Sequence, residues 1–433
     1  MAAVQVKQGS SAVPFRRSGL WFNRASQGVL ALGGVGVLYA LVRAAAGNPD
    51  VFFQQVLNGL QLGFIYALIA LGYTMVYGIV KLINFAHGDV FMVGAFTSFY
   101  AISMLDLHRW PLLVWPAMNE SVGTIVGAVT VILISMVMCG TLAVTIERFA
   151  YRPLRNAPRI AALITAIGVS FFLEYFGALP FAYTNNYITY PRPFELSVLS
   201  GNAIPRAGIG VVCGVFVLAC IAYGVLTWLA RRGNQKALVW RRHPLLQLGL
   251  LLGGFLTVVL ILVGVVPVVG GEEWDLTVSN VMLVIMVASI FLQVGLQYIV
   301  QRTRLGKAMR ASAYDKPTAR LMGINVDMVI AATFALAGGL AGAAGVLYAT
   351  AFKQVHHLMG IIPGLKAFVA AVIGGIGSIP GALVGALIMG QTEVISAGFI
   401  STPMRDAIAF SMLIIVLLIR PQGIFGEPPG EKV

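Results

Sequence analysis

Charge is what this sequence has least of. Of its 433 residues only 10% are Asp, Glu, Lys or Arg, whereas 58% are hydrophobic. Soluble domains carry about 25% charged residues, so this chain cannot dress a water-facing surface, and a soluble globular protein is excluded. Cysteine is equally scarce. Cys139, Cys213 and Cys220 all lie inside apolar stretches, which excludes a secreted disulfide framework and a cysteine-based metal site. No His, Cys and carboxylate cluster has metal-ligand spacing, and no Ser/His/Asp set stands out. A phosphate-binding loop is missing too. The nearest approach, Gly360 to Lys366, has the wrong spacing and no Ser or Thr after the lysine, so it cannot cradle phosphates as G-x-x-x-x-G-K-[ST] does. No catalytic residue, metal or cofactor is expected, and any ATP hydrolysis belongs to another chain.

What the chain does have is apolar runs of membrane-spanning length. They read as an all-α polytopic bundle of about 10–11 spans. The candidates lie near 27–46, 52–79, 86–104, 122–146, 161–182, 206–230, 246–270, 277–301, 328–351, 366–392 and 404–420. Glycine is plentiful, at 49 residues, as suits helices whose backbones approach closely in lipid. The net charge of +13 does not point to nucleic acid, because the basic residues cluster in short segments between apolar spans.

Those segments orient the bundle. One holds Arg148, Arg152, Arg155 and Arg159; a second holds Arg231, Arg232, Lys236, Arg241 and Arg242. A third holds Arg302, Arg304, Lys307, Arg310, Lys316 and Arg320. Even numbers of crossings separate the three, so all face the cytoplasm together with Lys7, Arg16, Arg17 and Arg24. Glu272, Glu273 and Asp275 then face outward. The 27–46 span reads as an uncleaved signal anchor in preference to a signal peptide, although Ala44 and Ala46 offer a small-residue cleavage site.

Segment 366–392 departs from a simple helix. Its centre reads Gly374-Gly375-Ile376-Gly377-Ser378-Ile379-Pro380-Gly381, which weakens helix continuity. Freed backbone groups at membrane depth must be buried in protein or line a wet cavity. Either one kinked helix crosses here, or two half-helices form a re-entrant hairpin; the hairpin is preferred. Gly374, Gly375, Gly377 and Ser378 are therefore candidates for the transport pathway, with close glycine packing as the alternative.

Four further pathway candidates open or occupy helices. Asn84 is placed to cap the 86–104 helix, and Asp89 sits near its positive N-terminus. With His87 between them, this N-terminus could serve structure alone or meet a substrate. Glu174 lies near the middle of its span, where an ionisable side chain must face the bundle interior or a cavity. Either it lines a pathway or it is an interhelical hydrogen-bond partner. Among the loops, 304–325 is the most informative. Its basic residues, its small Ala311, Ala313 and Ala319, and Gly323 suit an interfacial helix that docks a partner, with Arg304, Arg310 and Asp315 fixing register by ion pairs. A merely solvated loop is the competing reading.

At several of these positions the sequence resembles the LivH-type permeases of branched-chain amino acid ABC transporters. The resemblance rests on Asn58-Gly59-Leu60, on 66–78, on Ile83-Asn84-Phe85-Ala86-His87-Gly88 and on Tyr151-Arg152-Pro153-Leu154-Arg155. Ala166-Ile167-Gly168-Val169-Ser170, the glycine-rich 374–382 and Arg420-Pro421-Gln422-Gly423-Ile424 extend it. It runs in order over about 50–204 and 276–433. The resemblance implies a multi-pass inner-membrane subunit working by alternating access. Its implied partners are a second homologous permease, two ATP-binding subunits and an extracytoplasmic amino-acid-binding protein. It also implies that 304–325 is the ATPase-coupling loop, with Arg304, Gly306, Arg310, Ala311, Ala313, Asp315 and Gly323 as coupling residues.

The departures are residues 1–49, a basic arm plus an extra span, and 205–275, an inserted two-span hairpin with a basic loop. Glu174 also departs, since a neutral polar residue is more expected there. Urea or short-chain amide permeases are the main substrate alternative. An ion-coupled secondary transporter would need more paired intramembrane charges than this reading finds. A membrane-embedded enzyme would need a convergent polar set, which is not evident.

Overall fold

The computed structural model describes residues 47–155, 157–180, 182–183, 185–194, 197–200 and 277–426. The spans expected near 27–46, 206–230 and 246–270, and the loop between the last two, lie outside the described residues. The described chain is almost entirely helical. Its first half contains α1 (Pro49–Val80), α2 (His87–Ser103), the short α3 (Trp110–Val114), α4 (Glu120–Ile146) and α5 (Arg159–Gly177). Its second half contains α6 (Asn280–Arg302), α7 (Arg304–Tyr314), α8 (Lys316–Leu321), α9 (Val326–Phe352), α10 (Ile361–Gly374), α11 (Ile379–Phe399) and α12 (Arg405–Ile419). Six of the described helices are long and apolar enough to cross a membrane.

Two expected spans come out short. α2 has 17 residues and α12 has 15, which is roughly 25 and 22 Å of helix, less than the roughly 30 Å hydrocarbon core. The apolar run marked the right residues. Irregular backbone at 81–86 precedes α2, and turns at 400–404 precede α12.

The glycine-rich segment is two helices. α10 stops at Gly374, and Gly375 and Gly377 then adopt φ of 105° and 103°, values that L side chains rarely tolerate. α11 restarts with the Ser378 hydroxyl accepting from the Gly381 amide at 3.2 Å, a normal N-cap. The two helices run antiparallel, since Lys366 of α10 reaches Glu393 of α11 at 2.6 Å. The hairpin, rather than one kinked crossing, is the structure. The C-terminal stretch closes it. Ile424 and Phe425 donate their amides to the Ile373 and Gly374 carbonyls at 2.9 Å each, satisfying acceptors that the end of α10 leaves free. Two motifs far apart in sequence, 374–381 and 420–424, thus form one joint.

The centre of the bundle is α9 packed between α2 and α4. Its glycines bring backbones together in the manner of small residues in lipid: a Cβ at Gly342 would lie 2.5 Å from the Ser135 carbonyl oxygen. The Cys139 thiol contacts the Val90 carbonyl at 3.3 Å, so this cysteine is a buried core residue.

The two basic segments among the described residues, 148–155 and 302–320, meet at one end, as charge parity requires. Arg152 pairs with Asp327 at 2.7 Å, Arg155 bridges Glu147 and Asp327, and Lys316 donates to the Val80 carbonyl at 3.3 Å. A π-helical turn, Glu147–Tyr151, extends α4 and aims these arginines. Toward the other end, β1 (Ile188–Thr189) pairs antiparallel with β4 (Gln354–Val355). β2 (Val198–Ser200) pairs antiparallel with β3 (Thr277–Ser279), so the chain leaves and re-enters the described bundle side by side around the insert.

Candidate functional site

The structure sorts the expected pathway residues into three places. Asn84 is buried, and its side chain accepts from the Tyr151 hydroxyl at 2.5 Å. It does not cap α2, whose N-cap is Ala86 with no side-chain bond. Tyr151 outcompetes the local cap because it arrives from α4's π turn with a hydroxyl and no other acceptor to satisfy it. His87 is buried edge-to-face on Tyr73, with centroids 4.7 Å apart, and its Nε2 has no hydrogen-bond partner among the described residues.

Asp89 and Glu174, 85 positions apart in the numbering, come together. Both are buried. The Ser170 hydroxyl donates to Asp89 and lies 3.4 Å from Glu174 Oε1, and the two carboxyl groups are within hydrogen-bonding reach of each other. Through Ser170, Glu174 joins α5 to Asp89 of α2. Gly374, Gly375, Gly377 and Ser378 form the third place, the strapped joint at the basic end.

A cavity among the described residues lies elsewhere. It has a volume of about 1060 Å³ and none of the expected pathway residues lines it. Its walls come from the N-terminal half of α1, the end of α9, the following loop, α10, the end of α11 and the start of α12. Those helix ends are opposite the basic loops. The loop wall is aromatic: Tyr187 stacks on His356 at 4.2 Å. At the base sits a charged cluster. Lys366, with 1% of its side chain exposed, is 2.6 Å from Glu393 and 2.7 Å from Asp406. Arg405 reaches Asp406 at 3.3 Å and Glu393 at 3.5 Å, and the Tyr66 hydroxyl donates to Glu393 at 2.8 Å.

Sequence reasoning missed this cluster, and the signal was there. Glu393 interrupts the apolar α11 as Glu174 interrupts α5, and the same intramembrane-charge argument singles it out.

At the basic end, α7 and α8 pack on the bundle core through Met309 and Ala319 and expose their other faces. Arg304 and Ala311 are exposed. Gly306 is buried against the end of α6, its amide donating to the Thr303 hydroxyl at 3.1 Å. The other expected coupling residues are partly engaged within the chain. Arg310 donates to the Val300 carbonyl, and Asp315 accepts from the Thr318 hydroxyl. Ala313 is half-buried, Ala319 is buried, and Gly323 ends α8 at φ 80°. The projecting side chains are Tyr314, 96% exposed, and Leu321 and Met322 beside the α8 end.

The fold and its cavity define a multi-pass, all-α membrane protein of the permease kind. Residues 55–417 match the family described as branched-chain amino acid transport system / permease component, and the chain belongs to that family. It is 35% identical over 388 residues to the high-affinity branched-chain amino acid transport system permease protein LivH of Escherichia coli K12, covering 88% of this chain and 98% of that one. It is 34% identical over 391 residues to BraD, the corresponding permease protein of Pseudomonas aeruginosa, covering 89% of this chain and all of BraD. A shorter match, 34% over 99 residues, links it to the ribose import permease RbsC of E. coli, covering 22% of this chain. No solved structure matches. The chain is thus a multi-pass inner-membrane transport protein whose relatives are permease components.

Proposed function

We propose that this chain is the translocation subunit of an ATP-driven importer of branched-chain amino acids. The observation that carries the reading is the match to LivH and BraD across nearly their whole length. The partners are a second homologous permease, two ATP-binding subunits and an extracytoplasmic amino-acid-binding protein. ATP binding and hydrolysis on those subunits rock the permease pair, and substrate moves by alternating access. This chain performs no covalent chemistry. Residues 50–204 and 276–433 form the permease core; 1–49 and 205–275 are appendages to it, a division that the adjacent β2 and β3 support.

The α7–α8 segment is the surface for an ATP-binding subunit. Support comes from its position at the basic end and from the exposure of Tyr314, Leu321 and Met322, apolar side chains that a membrane's aqueous face leaves unfavourably wet. Arg310 and Asp315 shape the segment from within. Replacing Tyr314 and Leu321 together by Asp is expected to lower co-purification of the ATP-binding subunit at least about tenfold; unchanged recovery removes this role. The function itself is tested with the complete assembly and binding protein in proteoliposomes. ATP-dependent leucine uptake is expected. Uptake of urea in its place, or uptake by this chain alone on a proton or sodium gradient, overturns the reading.

A further inference from the structure

We propose that the cavity between α1, α9, α10, α11 and α12 is a zwitterion-recognition site, in which the charged cluster at its base reads both the carboxylate and the ammonium of an amino acid. The proposal rests on the amino-acid reading above and adds to it where, and by what groups, this subunit holds its substrate.

The cluster has two cations, Lys366 and Arg405, and two anions, Glu393 and Asp406, all facing one cavity. Fully ionised it is neutral, so it repels neither sign of charge and offers both. Such a set suits a ligand that also carries both signs and no net charge. A lone anion or cation entering a low-dielectric site leaves one charge unmatched, which is costly. A zwitterion exchanges partners without that cost. Its carboxylate takes Arg405 and Lys366, and its ammonium takes Asp406. A neutral amide such as urea can replace no member of an ion pair.

The four groups differ in freedom, and the difference assigns roles. Lys366 and Glu393 are fully enclosed, and Glu393 is held on its second oxygen by Tyr66. They are the fixed frame. Arg405 and Asp406 each have 43% of their side chains exposed and stand in the first turn of a helix that begins at the cavity. They are the pair that opens to admit substrate. Above the charges, Leu62, Ile65, Ile362 and Val394 line an apolar wall against which an isobutyl or sec-butyl group packs.

The test is binding of tritiated leucine to the assembled importer in nanodiscs without the binding protein, read by scintillation proximity. Leucine is expected to bind saturably. Leucinamide, lacking the carboxylate, and 4-methylpentanoate, lacking the ammonium, are expected to compete at least about tenfold less well. Asp406→Asn is expected to weaken leucine at least about tenfold while leaving competition by 4-methylpentanoate undiminished or stronger, because the cluster then carries one net positive charge, and Asp406→Glu to restore much of the leucine affinity. Absence of saturable binding by the wild type, wild-type affinity in Asp406→Asn, or equal loss of leucine and 4-methylpentanoate overturns the site. ATP-driven leucine uptake by the same wild-type preparation, with binding protein added, separates the two ideas. If uptake is intact and the site fails, only the site is lost; if urea is carried in place of leucine, the transport reading falls and the site with it.

Discussion

Two regions of the described bundle solve the membrane problem in different ways. Around α2, α4 and α9 the helices are drawn together by glycine and alanine until backbones nearly touch, as at Gly342 and Gly94. Around α10, α11 and α12 glycines also bring backbones together, as at Gly385 against the Ala370 carbonyl, but the packing opens at one end into a cavity where four charged side chains share one site. Without water between helices, association depends on close packing and on satisfied polar groups. The region around α9 uses mostly the former, and the region around α11 adds the latter. A permease that changes shape needs both: a frame that holds its geometry, and a region whose contacts can be exchanged.

That contrast can be broken at the frame. Gly342→Leu would thrust a side chain into the Ser135 carbonyl and α4's backbone, where neither helix can retreat without parting the core. It is expected to abolish recovery of folded protein, measured by monodisperse elution after detergent extraction. Normal recovery would mean that α4 and α9 are not locked. The polar half answers differently. Lys366→Met alone strips two carboxylates of a shared cation, which costs about 3–5 kcal/mol for a buried pair. Adding Glu393→Gln removes the stranded charge and is expected to recover most of that loss in thermal unfolding of the purified permease. If the double variant is no better than the single one, the cluster is packing and not charge pairing. The smallest effect is expected back in the frame. Tyr151→Phe deletes the hydrogen bond to Asn84 and should lower stability by about 1 kcal/mol, read as a small drop in melting temperature. A larger drop would show that this bond ties α4 to the irregular entrance of α2 more tightly than one neutral pair can.

Much of this organisation is legible in the sequence because it follows from local composition. The low charge, the long apolar runs and the arginine-rich loops set class and orientation, and the break at 374–378 shows as a run of glycines with one proline. The family follows from ordered motifs, most of which have structural work to do. Arg152 and Arg155 clasp Asp327, and 420–424 straps the broken hairpin. The candidate site was less legible. Asn84 has the residue type and position of a cap, and nothing local shows that Tyr151 claims it. Asp89 stands out by its place at a helix N-terminus and Glu174 by its depth in a span, but their pairing through Ser170 depends on how α2 and α5 are set against each other. The cavity cluster unites α1, α10, α11 and α12, and no window along the chain contains it.

By itself, the sequence determined that this protein lives in a membrane, which loops share a side, where a helix must break, and to which family it belongs. These are properties of composition, period and order, and lipid punishes departures from them residue by residue. Only the tertiary structure decided that the break is a hairpin strapped by the C-terminal segment, that Asp89 and Glu174 meet at Ser170, and that the charges gather at Lys366. A charge in a membrane is defined by the partner it finds, and partners distant in sequence meet only when the helices have packed.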